Sequence, residues 1–362
     1  MSDPTAAVTA REAVPAVPLD LVTPDGPVPP RLKLMLLANG QRFTAVVHTL
    51  ADLGVADALA AGPRPVREIA EAVGCDATQL YRVLRFAVLV GLFREVEQEV
   101  FALTELAEGL RRDVPDSVRD AVLLDGSEKF NRAFTGLGHS VRTGRPGFDH
   151  VHGRSFWQDL EADEEAARVF DAAMTGISRR LGAVYLARHD FGRPERIADV
   201  GGGRGYFLAS LLQRYPDARG VLFDRPQVAA TAEALLKERG VDDRVEVVGG
   251  DFFTDALPTG CDTYVLKTVL HDWPDDAAGR ILRRVREAIG DSGARLLILE
   301  QVVAPMNAWD PAKLLDLDMM VVMGGRERNL TEWRRLLAGA GFRLTHEPDA
   351  GDWTVLECVP EY

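Results

Sequence analysis

Three cysteines in 362 residues, Cys75, Cys261 and Cys358, are too few and too scattered for a disulfide framework. No CxxC pair occurs to hold a structural zinc ion, so the expectation is three reduced thiols in a cytoplasmic protein. Basic charge is also short: 42 Lys and Arg stand against 55 Asp and Glu, a formal net charge of −13. Phosphate backbones are bound by basic faces, so a nucleic-acid partner is not expected. No apolar run approaches the ~20 residues that cross a bilayer, so no membrane partner is expected either. The first residues lack the charged-then-apolar pattern of an export signal. What is present, 46% hydrophobic and 27% charged residues, is an ordinary globular balance with material for two domains.

Residues 1–30 are rich in Pro and Ala without a periodic apolar face, and read as a flexible tail. Residues 31–115 carry helical apolar spacing, then a helix (66–73), a glycine turn, a second helix (78–90) and a hairpin around "LFREVEQEVFAL". Helix, turn, helix and hairpin make a winged-helix pattern. A groove-reading helix offers polar and basic residues. "TQLYRVLRFAVLVGLF" is too apolar for that, and a scaffold or dimerisation module fits it better. Residues 116–190 read as connecting helices that contribute to a substrate pocket. From 191 to 362, short apolar strands such as "RIADV", "TYVLKTVL" and "ARLLILEQV" alternate with helical stretches. That alternation predicts an α/β, Rossmann-like domain: a parallel sheet covered on both faces, with an antiparallel edge near the C-terminus.

The strand "RIADV" runs into "DVGGGRGYF", and a helix leaves it. Gly201, Gly203 and Gly205 permit a tight turn and close approach of a ligand to the backbone. The dinucleotide fingerprint needs a glycine where Tyr206 stands, and no Gly-Lys-Ser/Thr follows to make a P-loop. Asp224 ends the second strand, where a carboxylate accepts from ribose hydroxyls. Asp251 and Phe252 end the third, an acid and an aromatic suited to adenine. Each alone is equally a helix cap; one after each of successive strands points to an adenosine-containing cofactor.

With "GDFF" (250–253), "LKTVLHDWPDD" (266–276), "LLILEQV" (296–302) and "LDLDMMVVMGGRERNLTEW" (315–333), the chain resembles S-adenosylmethionine-dependent O-methyltransferases of the caffeate and acetylserotonin type, most of all the bacterial branch that tailors polyketides. The likeness runs from about residue 35 to the C-terminus. It implies a class I methyltransferase domain behind an N-terminal dimerisation domain, a homodimer, S-adenosylmethionine as cofactor and an aromatic natural product as substrate. By the same resemblance Asp199, Gly201 and Gly203 flank the cofactor's methionine portion. Asp224 holds the ribose, Asp251 and Phe252 the adenine, and Lys267 lies near the adenosyl group. Arg154 in "GRSFW" reaches the cofactor's carboxylate, the alternative being a plain surface arginine; Phe156 and Trp157 wall the site. His271 is the general base, flanked by Glu300 and Glu327.

The chemistry wants such a set. A phenol has a pKa of about 10, and a neutral imidazole, pKa about 6.5, accepts its proton as the new bond forms. A carboxylate at the other ring nitrogen fixes the tautomer and stabilises the imidazolium; Glu300 and Glu327 are both candidates. No metal is required. "DHVH" (149–152) reads as a polar loop, and Asp316 and Asp318 as structural or pocket-lining. Met174, Met320, Met323, Trp157 and Asp272 are candidate substrate contacts, as are Phe130 and Phe134, with core packing the alternative for the methionines. Two other functions remain open: hydroxylation or decarboxylation on the same cofactor, and ligand sensing by a winged-helix regulator.

Overall fold

The structure is a computed structural model that describes residues 22–23, 26–27, 29–346 and 353–361. Most of the expected flexible tail, residues 1–21, lies outside the described residues. The C-terminal half is built on a seven-stranded sheet. Numbering only its strands, these are β1 (Arg196–Val200), β2 (Arg219–Asp224), β3 (Val245–Gly249), β4 (Thr263–Lys267), β5 (Arg295–Gln301), β6 (Phe342–Leu344) and β7 (Trp353–Pro360). Their spatial order is β6-β7-β5-β4-β1-β2-β3. The run from β5 to β3 is parallel. The antiparallel strand is not the edge: β7 inserts between β5 and β6 and pairs antiparallel with both.

β4 is buried along its whole length and β5 nearly so, which is why they read as continuous apolar runs rather than alternating ones. Helices Asp275–Ile289 and Leu330–Ala338 cover one face, meeting Ala198, Val200, Leu266 and Ile298. Helices Tyr206–Arg214 and Ala232–Glu238 cover the other, meeting Ile197, Val265 and Leu297. Because strand side chains alternate, Asp199 and Lys267 fall on this second face, at the ends of neighbouring strands. Chain order reverses at β1, between β2 and β4. The crevice at the strands' carboxyl ends there is where open α/β sheets take ligands.

The N-terminal module contains helices Val66–Val73 and Ala77–Leu89, joined by a turn in which Gly74 has φ +73° and the Asp76 side chain caps the second helix. The hairpin Phe93–Glu97/Val100–Leu103 follows, and Arg64–Pro65 adds a third short strand. Leu80, Leu84 and Ala87 of the second helix are buried in the module's own core. The 25-residue helix Glu164–Arg188 packs against the helix Arg119–Asp125 and against Tyr206–Arg214, bracing the sheet domain to the helices before it. No helix among the described residues is long and apolar enough to cross a membrane.

Candidate active site

At the switch point the chain leaves β1 through the glycine loop. Gly201, Gly203 and Gly205 have φ of +71°, +62° and +81°, values that L side chains avoid. A Cβ on Gly201 would lie 2.8 Å from Val269 Cγ2, whereas one on Gly203 would meet nothing within 4 Å, because Gly203 faces open space. Gly202, overlooked in the sequence pattern, is pinned as tightly: its Cβ would come 2.6 Å from Asp199 Cγ and 2.5 Å from Leu222 Cδ1. The Gly203 N–H donates to Asp224 Oδ2 at 2.7 Å, which ties the loop to the end of β2. Burial raises the Asp224 pKa, against the N–H groups of Gly203 and Arg225. Asp199 is buried beneath the loop with neither carboxylate oxygen hydrogen-bonded, and burial pushes it up to about 7 despite nearby Lys267. Burial in turn pushes Lys267 down, against the attraction of Asp199 and Glu300.

β4 ends earlier than its apolar run predicts. Thr268 turns the chain with φ +52°, and residues Leu270–Asp272 form a single 3₁₀ turn that carries His271. The imidazole is buried, with Nδ1 at 2.6 Å from Glu327 Oε1 and 3.5 Å from Glu300 Oε2, while Nε2 lies 3.5 Å from Asp272 Oδ1. Glu327 therefore holds the ring. Glu300 spends Oε1 on the N–H groups of Val269 and Leu270, each at 3.0 Å, and holds the turn. The ring's charge differs from the neutral state expected of a resting base. Burial pulls its pKa down, but Glu300, Glu327 and Asp272 outweigh burial and lift it to about 10. Burial raises Asp272 to about 7 and raises Glu300 as well. Donor atoms of His271, Glu300 and Glu327 lie within 4.8 Å of one another, close enough to ligate a metal ion. Nδ1 and Glu300 Oε1 are committed to the hydrogen bonds just given.

A cavity of about 720 Å³ opens between loop and turn. Gly201, Gly203, Asp224, Asp251, Phe252, Lys267, His271, Asp272, Trp157, Met174 and Met323 all line it. Its size, the open side of Gly203, the carboxylates at the ends of β2 and β3 and the orphaned oxygens of Asp199 fit an adenosyl-amino-acid ligand. Arg154 is not on the wall: its Nε donates to Asp159 Oδ1 at 2.8 Å, and Asp159 also takes Lys129. Lys267, Arg180, Arg204 and Arg225, besides His271, are cations that do line the cavity. Met320, Phe130 and Phe134 pack in the apolar cluster around Phe148 and Phe156 instead. Met319 takes the wall position beside Met323, because residues four apart share a helical face and Met319–Met323 form one π turn. Asp316 accepts from the Glu327 N–H at 2.8 Å, a structural bond. Asp318 is partly buried, pushed up to about 7 by burial and Asp125, and is not on the wall. In the 149–152 stretch, His150 stacks on His139 at 4.1 Å and His152 Nε2 lies 3.1 Å from the Lys129 carbonyl. Arg225 and Trp273, which the sequence pattern does not single out, are also wall residues. Trp273 stacks on Trp157 at 5.9 Å, and Arg225 lies over the Trp157 ring at 5.1 Å. Arg225 directly follows Asp224 and Trp273 lies within "LKTVLHDWPDD", the one signal that could have marked them.

An O-methyltransferase domain model matches residues 134–343, and an O-methyltransferase dimerisation domain model matches residues 35–113. The chain is 42% identical over 317 residues to the 8-amino-8-demethylriboflavin N,N-dimethyltransferase of Streptomyces davaonensis, covering 86% of this chain and 90% of the relative. It is 38% identical over 336 residues to a phenazine O-methyltransferase of Lysobacter antibioticus, covering 92% and 98%. A solved O-methyltransferase from neocarzinostatin biosynthesis, in complex with S-adenosylmethionine and 2-hydroxy-5-methyl naphthoic acid, superimposes with a TM-score of 0.76 at 36% identity, over 88% of this chain and 96% of that one. With the glycine loop, the sheet order and these matches together, the chain belongs to the O-methyltransferase family, enzymes that draw their methyl group from S-adenosylmethionine.

Proposed function

We propose that this protein methylates a hydroxyl group of an aromatic natural product, with His271 as general base and Glu327 as the carboxylate that orients it. The observation that carries this reading is the 2.6 Å His271–Glu327 hydrogen bond at the wall of the cavity that the glycine loop also lines. With Nδ1 engaged, Nε2 is the nitrogen left to accept the acceptor's proton. Gly201, Gly203, Asp224, Asp251, Phe252 and Lys267 would hold the cofactor, with Asp199 beneath. The wall cations Arg180, Arg204 and Arg225 are better placed than Arg154 to meet its carboxylate. S-adenosylmethionine supplies, when bound, an electrophilic methyl group on a positively charged sulfur. An imidazolium holds its proton less firmly beside a second cation. His271 is then shifted from the protonated form favoured by its three carboxylates toward the neutral form that can act as base. Once the ring has taken a proton, Glu327 stabilises it.

Trp157, Met174, Trp273 and Met323 offer flat and adaptable apolar walls, which supports an aromatic acceptor. The intact His271–Glu327 pair supports group transfer over hydroxylation or decarboxylation. The acidic net charge, and burial of the second helix's apolar side in its own module, support a structural role for the N-terminal module over DNA sensing. We read that module as the contact of a homodimer, since Leu32, Leu34, Met35 and Leu37 of the first helix are exposed. A second reading, an aromatic amine as acceptor, is favoured by the N,N-dimethyltransferase relative. The deciding experiment incubates the protein with S-adenosylmethionine and a panel of aromatic alcohols and amines, followed by mass spectrometry. The expected result is S-adenosylhomocysteine and O-methylated product in equal amounts. Products from amines alone would replace this reading with the second, and no product from any acceptor would overturn both.

A further inference from the structure

We propose that Arg328 is a positioning residue for His271, acting through the backbone of the turn that carries the imidazole. The inference rests on the reading of His271 as the base. A lone 3₁₀ turn cannot hold itself, since it closes too few of its own hydrogen bonds. The Arg328 guanidinium supplies what is missing: Nη1 donates to the Leu270 carbonyl at 2.9 Å and Nη2 to the Trp273 carbonyl at 2.8 Å. One planar fork thus grips the chain on both sides of His271. The His271 carbonyl itself accepts from the Arg326 N–H at 2.8 Å. Residues 326, 327 and 328 therefore hold, in succession, the backbone of His271, its ring, and the backbone around it.

Two observations separate this from ordinary core packing. Arg328 is fully buried, with Nε on Asp275 Oδ1 at 2.9 Å and its guanidinium 5.3 Å from the Trp333 ring centroid. Burying a guanidinium is costly, and an apolar side chain would fill the same volume without that cost. The approach of the two segments is also as close as backbones allow. A Cβ on Gly325 would lie 2.0 Å from the His271 carbonyl oxygen, so only glycine lets 324–328 lie flat on the turn. Lysine carries a single point charge and cannot bridge both carbonyls, so Arg328→Lys removes the fork while keeping the charge.

The test compares wild type, Arg328→Lys, Asp275→Ala and His271→Ala, each checked for folding by circular dichroism. Turnover, KM for the methyl acceptor and the NMR titration of the His271 ring are measured, His271→Ala providing the assignment. Displacing a reacting group by about 1 Å costs on the order of 100-fold in rate. Arg328→Lys is expected to lower kcat ~10- to 100-fold, leave KM within a few-fold, and move the His271 midpoint down as the ring drifts from Glu327. Asp275→Ala, which leaves Nε without its acceptor and also removes the ion-pair partner of Arg326, is expected to shift both in the same direction by less. Loss of thermal stability with kcat and the His271 midpoint unchanged would overturn the proposal and leave Arg328 a core residue. If Arg328→Lys does not fold, Asp275→Ala decides by the same two readouts. Full turnover in His271→Ala would instead refute the base assignment, while the midpoint shift still reports whether Arg328 positions the ring.

Discussion

Burial alone would drive the His271 imidazole neutral, because a charge is costly away from water. Glu300, Glu327 and Asp272 reverse the sign and lift its pKa from 6.5 to about 10. A raised folded-state pKa means the protonated ring stabilises the fold. That contribution is complete below the unfolded value of about 6.5 and is lost as pH rises through about 10. The melting-temperature gap between wild type and His271→Ala should therefore be widest near pH 6 and narrow steadily toward pH 10, as thermal scans across that range would register. The two glutamates should also separate. Glu327 meets the ring through Nδ1, so Glu327→Gln is expected to cut kcat by roughly 10²–10⁴ while S-adenosylhomocysteine affinity holds within a few-fold. Glu300 accepts two backbone N–H groups, which an amide oxygen can still do, so Glu300→Gln should lose far less. Glu300→Ala should cost about 3 kcal/mol of stability in urea titration. The residue types of this cluster were legible in the sequence. The division of labour was not, because it depends on which carboxylate a folded turn brings to which nitrogen.

Short elements, not long ones, aim the chemistry. The run "TYVLKTVL" looks like one strand because every residue except Lys267 and the threonines is apolar. The strand stops at Lys267, and a left-handed Thr268 redirects the chain so that His271 faces the cavity. Hydrophobic pattern carries no mark of such a turn, since the residues after it are buried as well. The π turn at Met319–Met323 is similar: the methionines announce a wall, but which of them face it is decided by local winding. The glycine loop was readable because positive φ demands glycine, and there the expectations divide by neighbour. Gly201→Ala, with Val269 in contact range, should destabilise the protein by about 1–3 kcal/mol and disturb the His271 turn. Gly203→Ala meets open space, so its cost should be backbone strain together with weaker cofactor binding. Denaturant curves and calorimetric titration with S-adenosylhomocysteine distinguish the two.

Across the whole molecule, alternation of strands and helices fixed the α/β class, because parallel strands covered on both faces must be apolar throughout. The order of those strands and the insertion of β7 beside β5 had no local signature, since pairing partners lie far apart in the chain. The N-terminal module could be read as helix, turn, helix and hairpin, and its exposed apolar first helix argues for a second copy of the chain. Leu34→Glu with Met35→Glu, at side chains 67% and 60% exposed, should convert a dimer into monomers in sedimentation velocity without unfolding the sheet domain. The cavity draws its wall from residue 157 onward, so monomers are expected to keep cofactor affinity within a few-fold. Whether His271 serves the transfer and not the binding is decided by His271→Ala, with S-adenosylhomocysteine affinity measured beside single-turnover methyl transfer. The expected result is a rate lowered by roughly 10²–10⁴ with affinity nearly unchanged. An unaltered rate, or an affinity that collapses together with the rate, would contradict it.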